Sequence, residues 1–161
     1  MDGFSAKDVC RAAGINEPTL RTWRSRRLVA SPGTANAWTR YPLVYLMKVV
    51  VLAELGRRGI DLEFASEFLS VFDMAEDIDG DDRNEKRWRG DGPLFLEGSL
   101  AVEYEEKRGK RSKRKHALGL LVIVPGPRVE VCANDIEDDT VTVVMDLAKV
   151  FASARARLGA V

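Results

Sequence analysis

The sequence predicts an α+β chain: helices over residues 1–75, a charged linker over 76–92, and a small antiparallel sheet with a C-terminal helix over 93–161. Three observations predict it. Apolar residues recur at helical spacing as far as Phe72, strand-like alternation begins after Pro93, and an acidic, glycine-containing stretch separates the two.

Ser5-Ala-Lys-Asp8 opens the first helix as a capping pair, the Ser5 hydroxyl taking an early N–H while Asp8 lies in the electropositive first turn. Val9, Ala12 and Ala13 share one face, and Gly14 ends the helix. Asn16 caps the next helix, which tolerates Pro18 in its first turn and is expected to reach about Arg27. Two short helices joined by a glycine turn are the sequence form of a helix-turn-helix.

The second of these helices places four arginines and a tryptophan between Arg21 and Arg27. At about 100° per residue, Leu20 and Trp23 form the buried stripe, with Asn16 and Arg27 beside it. Pro18, Arg21, Thr22 and Ser25 fall on the opposite face, and Arg24 and Arg26 flank it. Short polar side chains facing outward, with long cations at the rims, suit the base edges and phosphates of duplex DNA. Pro18, Thr19, Arg21, Thr22, Arg24, Ser25 and Arg26 are therefore candidate DNA-contacting residues. The competing reading is a solvated basic helix, since arginine is also a good helix former.

Leu28 to Pro42 is a turn-rich loop containing Pro32, Gly33 and Asn36 and closing on Trp38, Arg40 and Tyr41. It reads as a wing, with Asn36, Trp38 and Arg40 as DNA candidates and Tyr41 in the core. Tyr45 to Gly59 is then an apolar helix with Gly59 as its C-cap. A further helix, from about Leu62 to Met74, carries Phe64, Ala65, Phe68, Leu69 and Phe72 as core residues.

The succession of "AAGINEPTLRTW", "RRLV", a loop ending "WTRYP" and a helix ending "ELGRRGIDLEFA" resembles the MerR-type winged helix-turn-helix DNA-binding domain, over roughly Phe4 to Phe72. The resemblance implies DNA contacts from Arg21, in the Thr-Leu-Arg motif, and from the wing residue Arg40. The chain departs from that family where an aromatic usually follows the motif arginine, since Thr22 stands there. It also lacks the family's long dimerising helix with metal-binding cysteines.

After the linker, Leu94, Leu96, Leu100, Val102 and Tyr104 alternate as strand faces, and Leu118 to Val124 is a continuous apolar run. Val129 and Val131, and Val141 to Val144, suggest two further strands. The C-terminal helix begins near Asp146. Its stripe of Val150, Phe151, Ala154 and Leu158 either closes the sheet of its own subunit or forms a dimer surface. Between strands lies a basic tract of Lys107, Arg108, Lys110, Arg111, Lys113, Arg114 and Lys115. It is either a second electrostatic contact to DNA or a solvated loop.

The totals bound the function less than the distribution does. The chain has 161 residues, 45% hydrophobic and 31% charged, with a net charge of zero. Yet Met1 to Lys48 holds eight Lys and Arg against three Asp and Glu, while Asp73 to Glu106 holds twelve acidic residues against four basic. Such asymmetry points to a polyanion-binding part. Cys10 and Cys132 form neither a disulfide framework nor a zinc pattern, and His116 has no companion ligands, so no metal or cofactor is expected. No Gly-rich phosphate loop or nucleophile–base spacing is present, and no enzyme is expected. The start lacks an apolar signal region, and the expected location is cytoplasmic and nucleoid-associated, without a membrane. The expected function is a bacterial or phage transcription regulator that binds double-stranded DNA as a homodimer or higher oligomer. The alternatives are a recombination directionality or DNA-bending factor, and a protein-interaction adaptor.

Overall fold

A computed structural model describes residues 3–30, 40–72, 88, 99–105 and 140–159. Contacts divide the chain into two compact units, Met1–Phe95 with Lys149–Val161, and Leu96–Ala148.

Helix α1 spans Ala6–Ala13 and starts on a reciprocal cap. The Asp8 N–H donates to Ser5 Oγ at 3.2 Å, and the Ser5 N–H donates to Asp8 Oδ2 at 3.0 Å. The Ser5 hydroxyl also donates to Asp8 Oδ2, at 2.6 Å, and this hydrogen bond is the main reason the Asp8 carboxyl lies below its ordinary pKa, against the opposing effect of burial. Gly14 ends the helix at φ 64°, with its N–H on Arg11 O and the Ile15 N–H on Cys10 O. This pair of bonds satisfies carbonyls that the helix end leaves open.

Helix α2, Glu17–Ser25, follows after a short turn. Asn16 Oδ1 accepts from the Thr19 N–H at 2.8 Å and from the Thr19 hydroxyl at 2.7 Å. The helix stops two residues earlier than the expected Arg27, which adopts φ 59° and is exposed. Helical spacing sets Arg27 beside the Leu20–Trp23 stripe; the turn takes it out of the helix and leaves it exposed.

Helix α3, Leu43–Arg57, is the centre of the first unit. It is buried on nearly every side, which is why its apolar residues do not confine themselves to one stripe. It packs against α1, against helix α4 (Leu62–Glu67), and against the 3₁₀ turn Phe68–Phe72 that continues α4. The expected single helix from Leu62 to about Met74 is thus, as far as Phe72, a six-residue α-helix followed by tighter 3₁₀ geometry, and its last two positions lie outside the described residues. Asp61 caps α4 by accepting from the Glu63 and Phe64 N–H groups.

Phe4 and Tyr41 form an isolated antiparallel bridge, with both backbone hydrogen bonds at 2.8 Å. Tyr41 is a core residue, as its aromatic character suggests, with 2% exposure. Its ring lies 4.7 Å from that of Tyr45, in the first turn of α3. Gly3 permits the approach: a Cβ there would come within 2.7 Å of Tyr41 O.

The last helix, α5 (Leu147–Leu158), corrects the expected architecture. From Lys149 onward it belongs to the first unit. Phe151 is fully buried, edge-on to Phe72 at 6.4 Å and to Trp88 at 6.0 Å. The Arg155 guanidinium lies 5.8 Å from the Trp88 ring centroid. Arg157 donates to Ala12 O at 2.9 Å, on the last turn of α1. The helix that was expected to cover a sheet therefore completes the helical core. Trp88, read as part of a linker, is 1% exposed and belongs to that core.

The α+β class does not hold. The described residues are mostly helical, and the only strand pairing among them is a two-stranded antiparallel ribbon of β1 (Ser99–Glu105) and β2 (Thr140–Asp146). Its register sets Val102 opposite Val143 and Tyr104 opposite Val141. The other expected strands, around Leu94 and Leu96, Leu118 to Val124, and Val129 and Val131, lie outside the described residues.

Candidate nucleic-acid interface

Helix α2 is held by one face. Leu20 and Trp23 are 3% and 7% exposed, and Leu28 and Val29 just beyond the helix are equally buried. The Leu28 N–H donates to Trp23 O at 2.9 Å, which ties the chain leaving the helix back onto it. The opposite face is open: Pro18, Arg21, Thr22 and Ser25 are all exposed. The Thr22 hydroxyl donates to Pro18 O at 3.0 Å and the Ser25 hydroxyl to Thr22 O at 2.9 Å. Both hydroxyl oxygens keep lone pairs for a donor arriving from outside.

The arginines have different partners. Arg21 forms no hydrogen bond or ion pair to the described residues. Arg24 is half-buried, and its Nη1 donates to Tyr41 Oη at 3.2 Å, which fixes its guanidinium against the Tyr41–Tyr45 pair. Arg26 pairs with Glu63 at 2.8 Å across to the first turn of α4. Arg40 is exposed and donates to Gly3 O at 3.3 Å. Thr19, a DNA candidate by its motif, has its hydroxyl engaged in capping α2. Asn36 and Trp38 lie outside the described residues, as does the whole basic tract Lys107 to Lys115.

Beneath this surface the Tyr45 hydroxyl is buried with no hydrogen-bond partner, and burial raises its pKa. The Cys10 thiol is likewise raised by burial. Both groups stay neutral at physiological pH and act as core. Among the described residues, no three His, Cys, Asp or Glu side chains come together as a metal site. No helix among them is long and apolar enough to cross a membrane.

Sequence reasoning missed one device that holds the turn. Arg57 donates to Ala13 O and Gly14 O, and Arg157 donates to Ala12 O. Two arginines from α3 and α5 thus converge on the C-terminal carbonyls of α1, where cations are favoured. A helix end in need of cations is visible in sequence. Which cations arrive from 44 and 145 residues away is not.

The expected dimer stripe also has another use. Phe151 and Ala154 are fully buried within their own chain, and Val150 and Leu158 are half-buried. Phe151 and Ala154 therefore have no surface to offer a second subunit. Comparison with protein-family models and with curated proteins finds no match for this chain.

Proposed function

We propose that this chain is a sequence-specific double-stranded DNA-binding protein, a MerR-like transcription regulator of bacterial or phage type. The outward face of α2 enters the major groove, and Arg40 approaches phosphate or the minor groove. One observation carries the reading. Leu20 and Trp23 anchor α2 while Arg21, Thr22 and Ser25 stand exposed on its far side, with Arg24 and Arg26 at the edges. Base-edge contacts need short polar groups and a bidentate cation facing outward, and phosphate contacts need cations beside them. A merely solvated helix shares the division into an apolar inner and a polar outer face, but it does not need short polar groups on that face with long cations at its rims. In this reading Arg21 reads bases, Arg24 and Arg26 hold phosphates, and the protein pairs on two half-sites. Its place in the cell is the nucleoid.

The test is selection of bound fragments from a random duplex pool, followed by anisotropy titrations at several salt concentrations. Selected sites should bind at least about a thousandfold more tightly than random duplex. A chain that retains no duplex at micromolar protein and 50 mM salt, where non-specific binding alone should register, refutes the reading.

A further inference from the structure

Four residues at helix ends adopt left-handed backbone among the described residues: Gly14 at φ 64°, Gly59 at 81°, Gly159 at 73° and Arg27 at 59°. Glycine takes this conformation without a Cβ clash, whereas an arginine is strained in it. Arg27 is the only non-glycine residue with positive φ among the described residues. Its turn is built like the glycine ones. The Arg27 N–H donates to Arg24 O at 3.0 Å and the Leu28 N–H to Trp23 O at 2.9 Å, just as Gly14 and Ile15 close α1 on Arg11 O and Cys10 O. These are backbone bonds that glycine makes equally well. The Arg27 side chain is exposed and forms no hydrogen bond or ion pair to the described residues. The folded chain therefore gains no hydrogen bond or ion pair from it to offset the strain.

Residues held in costly backbone conformations concentrate where function uses them. We infer that Arg27 is a DNA-phosphate contact, an arginine kept at a glycine position for its charge, in addition to the cations on α2 itself. The inference rests on the DNA-binding reading of α2. A cation at a helix C-terminus also favours the helix dipole, but Arg24 already serves the last turn of α2. The left-handed turn is what takes Arg27 off the buried stripe and makes it available.

The experiment compares wild type, Arg27→Gly and Arg27→Lys by thermal melting and by duplex titration against salt. Arg27→Gly should melt at or above the wild-type temperature, because the turn loses its strain. It should bind selected and random duplexes about eightfold more weakly at 0.1 M salt, with a salt slope shallower by roughly 0.9, the loss of one phosphate contact. Arg27→Lys, which keeps the charge, should remain within about twofold of wild type, the strain being common to both. Unchanged binding by Arg27→Gly overturns the inference, and so does a lowered melting temperature or an equal loss in Arg27→Lys. A wild-type protein that binds no duplex refutes the DNA reading itself, which the two variants leave separate.

Discussion

On the proposed DNA-binding reading, Arg26 meets DNA already paired, and the consequence can be measured. Its Nη2 lies 2.8 Å from Glu63 Oε1, with side-chain exposures of 47% and 71%. A phosphate that takes the Nη2 donor of Arg26 displaces that carboxylate, and one that takes another of its N–H groups comes to lie beside the carboxylate's charge. Replacing Glu63 by Gln keeps the shape and removes the charge. Asp61, not Glu63, supplies the cap of α4, so the helix start is retained. Both partners are exposed, so the pair is worth about 0.2–1 kcal/mol, which makes Glu63→Gln roughly 1.4- to 5-fold tighter on every duplex. The salt slope should steepen by about 0.9, because the neutral pair becomes one cation that releases a counterion. In an Arg26→Ala background the gain should shrink, since only general repulsion is left to remove. Anisotropy titrations of the four proteins on one selected and one random duplex supply the whole cycle. An equal gain with and without Arg26, or none in either, refutes the competition between Glu63 and phosphate.

Arg21→Ala should cost about 1–3 kcal/mol on a selected site and flatten the preference among sites, whereas Arg24→Ala should weaken all duplexes alike; identical profiles for the two would undo their division into base and phosphate contacts. Phe151→Ala should destabilise the chain by about 3–5 kcal/mol in urea unfolding, as expected for a fully buried aromatic, while a variant that keeps wild-type stability but loses self-association would restore the dimer surface. Ser5→Ala should cost about 1 kcal/mol at neutral pH. The Asp8 carboxyl lies below its ordinary pKa in the folded chain, so its contribution is present above the unfolded value near 3.9 and is lost as pH falls through the folded one. The difference between Ser5→Ala and wild type should therefore narrow only below about pH 4, and a difference that is constant down to pH 2 contradicts the capping box.

What the sequence determined by itself is local. Ser5 with Asp8, Asn16 with Thr19, and Gly14 and Gly59 at helix ends all act within six residues of themselves, so each could be placed from spacing and side-chain chemistry. The same holds for the two faces of α2, because Leu20 and Trp23 differ from Arg21, Thr22 and Ser25 in kind. Tertiary structure decided everything that depends on which surfaces meet. The apolar stripe of α5 fits a sheet, a second subunit or a helical core equally well, and only the positions of Phe72 and Trp88 select the last. Trp88 sits among charges that locally read as linker, and its burial comes from residues more than sixty positions further along the chain. The turn at Arg27 was invisible for a related reason. Arginine continues a helix as readily as it ends one, and the burial of Leu28 and Val29 is what bends the backbone there.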